Sequence, residues 1–391
     1  MVSVCHVYWF YPPAAIGGIE TFIQSLSTKL VEEGDTVTVV TGAYGAESGN
    51  ENGVNVVRST HFERYSGEDD GREMKSYELI KKVMRENSVE VLHVHNFHFQ
   101  YNFPCTLAVY RAARDMGVPV ILHVHGVPSE PVSEFIASKF RWDRVICVSK
   151  WVATKMYEKG VPGDRISAIY NGTDTERFKP GKRDTKLLGE MGIEGDTYVI
   201  GTPARLIGST GAIAESKGYF NIMKALSHIK ENRGDFKWVL TGGKFPNKEW
   251  MESAKSKMMD YARIYGIEKN VVIGYEVPAD KMPAFYNSLD LMLMPSIGEP
   301  FGLSTIESMS CGRATVGANS GATTEIIRNG VDGFLVQPDN HIELSGLVLR
   351  LMGDDDASKG VRISARRKIV EKFSIGRLVS QMKGEYERVG Y

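Results

Sequence analysis

Short apolar runs alternate with stretches of helical periodicity along the whole chain. Val2–Trp9, Thr36–Thr41, Val54–Arg58, Glu90–His95, Pro119–His125, Arg144–Val148 and Ile166–Tyr170 are β-branched or apolar over a few residues and predict strands. Between the first two, Ile19, Phe22, Ile23, Leu26 and Leu30 follow the i, i+3, i+4, i+7 spacing of a helix with one apolar face, and Ile80, Val83 and Met84 give a weaker stripe further on. The alternation restarts at Tyr198–Pro203 and continues through Lys237–Thr241, Val271–Ile273, Leu289–Met294, Ala314–Gly317 and Gly333–Val336. Two series of strand–helix units predict an α/β protein of two doubly wound domains, each with a parallel sheet. The polar, charged segment Lys179–Asp196 reads as the linker, which puts the domains at about 1–180 and 197–372. A last helix, Phe373–Tyr391, carries Leu378, Met382, Tyr386 and Val389 after the second sheet is complete, and the first domain is a candidate surface for it.

Composition narrows the function classes. A chain of 391 residues is too long for one ordinary core. It is 42% hydrophobic and 24% charged with a net charge of -1, which argues against nucleic acid as a main partner because phosphate binding normally shows as a basic excess. The scattered cysteines Cys5, Cys105, Cys147 and Cys311 form no C-x-x-C pair and suit reduced, buried positions in a cytoplasmic protein. Nothing approaches the roughly 18 consecutive apolar residues of a membrane-spanning helix. Val2–Phe10 lacks a basic flank and runs into Pro12-Pro13, so it reads as a first strand rather than a signal peptide.

The densest candidate chemistry lies in Glu299-Pro300-Phe301-Gly302-Leu303-Ser304-Thr305-Ile306-Glu307. The run before it ends in Pro295 as a buried strand would, and Ser304 starts a helical period. Glu299 is therefore expected at the carboxyl end of a strand and Glu307 on the first turn of the next helix. In open α/β sheets that crevice binds ligands, and the backbone N–H groups of Phe301, Gly302 and Leu303 favour an anion there. The plainer reading is a capping box, Ser304-x-x-Glu307, with Glu299 a solvated loop acid. Arg205 follows the first strand of the second domain and Lys217-Gly218 opens its first helix. Two cations at the mouth of a parallel sheet suit a diphosphate, although each alone is more often a surface charge.

In the first domain, Gly17-Gly18 follows the first strand and opens a helix, where backbone can approach a phosphate; a tight turn explains it equally. It is not G-x-G-x-x-G, so no dinucleotide fingerprint is met. His93/His95 and His123/His125 end neighbouring strands, with His98 close by. Zinc lacks a supporting Cys or i, i+4 His motif, and packed, hydrogen-bonded rings are the simpler expectation for at least two of them. His125 is best placed to donate to a substrate oxygen. Lys139, Arg141 and Arg144 around Phe140 and Trp142 read as a membrane-surface patch or, more simply, as solvated charge.

With these pieces in place the chain resembles the retaining glycosyltransferases of the GT-B fold, family 4. The resemblance is carried by Gly17-Gly18-x-Glu20, His123-x-His125-Gly126, Val148-Ser149, Ile169-Tyr170-Asn171-Gly172-Thr173-Asp174, Arg177-Phe178-x-Pro180, Arg205-Leu206, Lys217-Gly218 and Leu240-Thr241-Gly242-Gly243. It continues through Pro295-Ser296-x-x-Glu299-x-Phe301-Gly302-Leu303-x-x-x-Glu307, Cys311-Gly312, Gly321-x-x-x-Glu325 and Asn329-Gly330-x-x-Gly333.

This resemblance implies two Rossmann-like domains facing a cleft, with a UDP-, GDP- or ADP-linked sugar bound mainly by the C-terminal one and the acceptor on the N-terminal side. Glu307 would hold the ribose, Glu299 the hydroxyls of the transferred sugar, and Arg205 and Lys217 the diphosphate. Amides around Phe301–Leu303 would line sugar and phosphate, Gly17-Gly18 would approach the phosphates, and His125 would sit at the reacting centre. No metal or other cofactor is implied, and the last helix would cross back to the N-terminal domain. The expected activity is transfer of a hexosyl unit to a hydroxyl of a glycan, a lipid-linked acceptor or a small sugar, in the cytoplasm, where peripheral contact with a membrane face is compatible. A nucleotide-sugar epimerase and a non-catalytic nucleotide-sugar-binding subunit are the alternatives. Two departures stand out: an enlarged loop between Arg205 and Lys217, and Gly321-Ala322 where the family usually has Gly-Gly.

Overall fold

Strands β1 (Ser3–Val7), β2 (Thr36–Gly42), β3 (Gly49–Glu51), β4 (Val54–Ser59), β5 (Val91–His95), β6 (Val120–Val124), β7 (Arg144–Cys147) and β8 (Ile166–Ala168) form one sheet in the order β3-β4-β2-β1-β5-β6-β7-β8. The second sheet contains β9 (Tyr198–Pro203), β10 (Phe236–Thr241), β11 (Val271–Tyr275), β12 (Leu291–Met294), β13 (Ala314–Ala318) and β14 (Phe334–Val336) in the order β11-β10-β9-β12-β13-β14. These come from a computed structural model, which describes residues 1–14, 17–63, 71–99, 103–204, 216–241, 248–354 and 356–390. The chain separates into two compact units, Thr173–Ser374 and Met1–Gly172 together with Ile375–Tyr391.

All strand pairs are parallel except β3 with β4. The short β3 has no apolar signal of its own. It exists because Asn52 and Gly53 both take positive φ and turn the chain back as a hairpin. In each sheet the strand order reverses at one place, between β1 and β5 in the first and between β9 and β12 in the second. Those switch points are where loops from opposite faces part and leave a crevice at the carboxyl ends of the strands.

The cores follow from the apolar runs. In the second unit Ile200, Trp238, Leu240, Leu291, Leu293 and Val316 pack from the strands onto Ile222, Leu226 and Ile229 of the Tyr219–Asn232 helix. On the other face Phe178, Leu187, Leu188, Met191 and Ile193 pack with Val199, Val239, Phe285 and Met292. The segment Lys179–Asp196, expected as a linker, is thus part of this unit. Its short helix, Thr185–Glu190, is capped by Asp184 accepting from the Leu187 N–H at 3.0 Å, and it buries only one face. That leaves most of its side chains polar, so the segment reads as a linker by composition.

The last helix, Ile375–Arg388, lies in the first unit. Leu378, Val379, Met382 and Tyr386 are buried, Lys383 pairs with Glu33 and Asp35 at 2.9 and 2.8 Å, and Glu385 pairs with Arg144 at 2.8 Å. Arg144 is therefore an internal anchor. Trp142 is buried and donates to the Ile136 carbonyl at 3.1 Å, and Phe140 stacks on it. The basic–aromatic patch read from the sequence is dismantled by these contacts, and only Lys139 and Arg141 remain as exposed charges. All four cysteines are buried thiols outside any disulfide.

Candidate active site

The loop that leaves β12 carries Glu299 and is held from two sides. Gly218, in the left-handed region at φ +72, lies so close that a Cβ would stand 2.5 Å from the Pro295 carbonyl oxygen. Gly321, at φ +60, lies so close to the far side that a Cβ would stand 2.7 Å from both the nitrogen and the oxygen of Glu299. Hydrogen bonds close the clamp: Ala322 N–H donates to the Glu299 carbonyl at 2.9 Å, Gly298 N–H to Ser320 Oγ at 3.0 Å, and Ile297 N–H to the Ser216 carbonyl at 2.7 Å. The Lys217-Gly218 and Gly321-Ala322 motifs thus share one task, fixing the backbone that carries Glu299. The extra methyl of Ala322 is wholly buried, so it lies in the interior and narrows no opening.

Lys217 reaches the same place. Its ammonium lies 2.8 Å from Oε2 of Glu299, with the lysine side chain 31% and the glutamate side chain 14% exposed. Arg205 and its neighbours up to residue 215 lie outside the described residues.

The next helix spans Leu303–Ser310, with Gly302 as its N-cap and no side-chain cap. The capping-box reading therefore fails. Ser304 instead donates its hydroxyl to the Pro203 carbonyl at 3.0 Å, which ties the helix start to the end of β9. Glu307 falls just past the first turn, as the fifth residue of the helix, one position deeper than a start at Ser304 implies. Its Oε2 accepts from the hydroxyl of buried Tyr286 at 2.7 Å. Burial pushes the Glu307 carboxyl up to about 7, against the opposing pull of the Tyr286 hydrogen bond and the Arg177 charge. Phe301 is buried beside Phe373, so its side chain is structural. The first amides of a helix have no partner within the helix and favour an anion. Tyr286 carries no motif, and its only sequence signal is a tyrosine in an otherwise apolar stretch.

In the first unit, Gly18 begins the Gly18–Glu32 helix just beyond β1, and Gly17 is its N-cap with φ −162. That conformation is extended and open to any residue, so backbone strain does not call for a glycine there. His125 follows β6 directly and is half-buried. Its backbone N–H donates to Asn96 Oδ1 at 2.8 Å, and Asn96 N–H donates to the His123 carbonyl at 2.9 Å. Asn96, in the left-handed region at φ 54, thereby splices the end of β5 to the end of β6. The sequence reading passed over it.

Apart from His125, the paired histidines do not point at an open ligand. His6, His93, His95, His98 and His123 are wholly buried. Phe22 of the Gly18–Glu32 helix covers the rings of His95, His123 and His125 edge-on. Burial drives the imidazoles down, His6 and His125 to about 3 and His98 to about 4, so they are neutral at pH 7. Two trios, His6/His93/His95 and His95/His123/His125, bring nitrogens within 4.8 Å of one another. The separations of 3.0 to 3.1 Å between bonded pairs are hydrogen-bond lengths.

Residues 16–177 match the model of Glycosyltransferase Family 4, and residues 197–368 match that of Glycosyl transferases group 1. An uncharacterized glycosyltransferase of Methanocaldococcus jannaschii is 25% identical over 99% of this chain and 98% of its own. The UDP-Gal:alpha-D-GlcNAc-diphosphoundecaprenol alpha-1,3-galactosyltransferase of Escherichia coli is 25% identical over 81% of this chain and 79% of its own. Among solved structures, Anabaena HepE in complex with UDP-glucose superposes with a TM-score of 0.80 at 18% identity, over 99% of this chain and 100% of that one. No described helix is long and apolar enough to cross a membrane. With a family match on each of its two parallel-sheet units and a relative along nearly its whole length, the chain belongs to the GT-B glycosyltransferases of the family 4 and group 1 kind.

Proposed function

We propose that the protein transfers a hexosyl unit from a nucleoside diphosphate sugar to a hydroxyl acceptor, with retention at the anomeric carbon and without a metal ion. The observation that carries this is the Lys217–Glu299 pair beside the start of the Leu303–Ser310 helix, with Glu307 held by Tyr286 one turn further on. A diphosphate suits Lys217 and the helix N-terminus, a sugar suits Glu299, and ribose hydroxyls suit Glu307. Arg205 is assigned to the diphosphate by its motif, Gly17-Gly18 to the phosphates and His125 to the transferred sugar.

The chemistry asks little of the protein in covalent terms. The bond between C1 and the phosphate oxygen breaks, the acceptor oxygen bonds to C1 on the same face, and the acceptor proton passes to the departing phosphate oxygen. Negative charge grows on the diphosphate while positive charge grows on the sugar ring. A fixed cation and helix amides stabilise the former, and one such donor is worth about 3 kcal/mol. We read the transfer as retaining because the Glu299-x7-Glu307 pattern resembles that of retaining enzymes. The same-face route needs no carboxylate pair of the glycosidase type.

The names of the relatives make UDP-hexoses the first donors to test and a lipid-linked diphosphate sugar the first acceptor. A thermal-shift screen across UDP, GDP, ADP and their sugars should give one winner, because a bound donor stabilises the fold by mass action. NMR of the anomeric proton in the product then decides retention. Absence of stabilisation by every nucleotide, or an inverted product, would overturn the reading.

A further inference from the structure

Five histidines converge on one face of the first sheet from β1, β5 and the end of β6. The register sets His6 beside His93 and His95 beside His123. The hydrogen bonds do not follow it. They run diagonally, each step two residues nearer the carboxyl edge: His6 Nδ1 to His95 Nε2 at 3.0 Å, then His95 Nδ1 to His125 Nε2 at 3.0 Å. A second diagonal joins the Tyr386 hydroxyl to His93 Nδ1 at 2.9 Å and His93 Nε2 to His123 Nδ1 at 3.1 Å.

A neutral imidazole has one N–H and one lone pair. Each ring in the middle of a row must therefore donate at one end and accept at the other, and a whole row points one way. If the protons sat on Nε2, the last of them would be His6 Nε2–H, buried with no acceptor among the described residues. If they sit on Nδ1, the orphan at that end is a lone pair. Buried N–H groups without a partner are rarer than under-used acceptors, because the lost donor bond is the larger penalty. The second row gives the same answer, since His123 Nε2 also lacks a partner among the described residues.

We propose that the buried end of the His6–His95–His125 row fixes the tautomer of His125, which then presents Nδ1–H at the carboxyl end of the sheet as a donor of fixed sense. His95 and His6 are positioning residues that act through His125; their catalytic consequence rests on the reading that His125 serves the transferred sugar. A ring with free tautomer choice would divide its population between donor and acceptor. This one can give a hydrogen bond to a sugar hydroxyl or a phosphate oxygen and has no lone pair left to take one, since Nε2 already accepts from His95.

Long-range proton–nitrogen NMR of the full chain labelled with nitrogen-15 histidine reads the tautomers without any substrate. Single substitutions assign the resonances. His6, His95 and His125 should each show a protonated Nδ1 and a bare Nε2. Protonated Nε2 at His95 or His125 would overturn the proposal, and so would resonances that move on adding zinc, which would make the cluster a metal site.

Two variants extend the test to function. His6→Phe leaves His95 Nε2 as the unpartnered end of the row, so the same preference should keep the protons on Nδ1 at His95 and His125. His6→Asp puts an acceptor-only carboxylate at that end, which should draw the proton to His95 Nε2, turn the row over, leave His125 with a bare Nδ1 and lower kcat roughly two- to tenfold, the size of one hydrogen bond. If His6→Asp folds while His125 keeps its Nδ1 proton, or His6→Phe folds with a bare Nδ1 at His125, the row does not set the tautomer. Should the parent protein prove not to be a transferase, the spectrum alone still decides the tautomer.

Discussion

Lys217 Nζ stands 2.8 Å from Glu299 Oε2, across a loop whose backbone two glycines hold in place. The ion pair holds both side chains in position before any ligand arrives. On the proposed function both let go of each other in part, the ammonium for a diphosphate and the carboxylate for a sugar. Lys217→Ala and Glu299→Ala should each lower kcat about 100-fold or more, the scale of losing one charge-stabilising group. Circular dichroism should report an intact fold. Normal turnover by either variant would remove the pair from the chemistry.

On the proposed role of Glu307 at the ribose, donor binding should depend on pH. Its folded carboxyl is raised to about 7, so the neutral form is favoured below that and the carboxylate above it. Ribose hydroxyls need an acceptor, and the affinity for a nucleotide sugar should rise roughly tenfold between pH 6 and 8. A sugar diphosphate ester has no proton to lose in that range, so the ligand adds no slope of its own. Calorimetric titration measures this, and Glu307→Gln should flatten the curve. Tyr286→Phe removes the hydrogen bond that holds the carboxyl down and should move the midpoint upward.

Gly321→Ala should cost about 1–3 kcal/mol of stability, the range for a residue forced into the left-handed region against backbone. It should also displace Glu299 and weaken donor binding. Gly346→Ala is the control: it sits in the His341–Gly353 helix with no atom within 4 Å of the added carbon, and should be neutral or slightly stabilising. Urea titrations of both variants, with and without UDP-glucose, separate fold from site. Equal behaviour of the two would show that the clamp is dispensable.

The buried imidazoles should make the protein acid-sensitive well before its carboxylates do. Burial holds His6, His125 and His98 at about 3 to 4, below the ordinary imidazole value, and drives His93, His95 and His123 down with them. As pH falls the unfolded chain takes up protons first. The stability from the neutral rings is complete above about pH 6.5 and is lost as pH drops toward 4, by about 1 kcal/mol per pH unit for each ring that counts. Urea midpoints at pH 7.5, 6 and 5 should fall in that order. A flat profile would mean that the rings are solvated or charged.

On the proposed function, transfer should survive dialysis against EDTA with less than about a twofold change in kcat/KM, because Lys217 and helix amides would take the role a divalent ion has in metal-assisted phosphoryl chemistry. A loss restored by magnesium or manganese would end the metal-free reading.

Much of this was legible because apolar runs with β-branched residues have few alternatives to being buried strands. Apart from β3, each strand of both sheets lies at an expected run, and the Gly-containing turn between Glu299 and Glu307 was read for what it is. The errors share one cause. Lys179–Asp196 looked like a linker because a helix that buries one face leaves the rest polar. Ser304-x-x-Glu307 looked like a capping box because its local spacing fits one, while the hydroxyl is taken by a carbonyl about a hundred residues away. Arg144 and Trp142 looked like a surface patch until Glu385 and the Ile136 carbonyl claimed them.

The sequence by itself determined the α/β class, the two sheets and the residue types at their carboxyl edges, because periodicity and motif spacing are local properties of the chain. Only the tertiary structure decided which of those residues meet: Lys217 with Glu299, Tyr286 with Glu307, and His6 with His125 through His95. Parallel strands bring together residues from distant crossovers, and a hydrogen bond at 3 Å depends on their register. Neither is written in any short stretch of the chain.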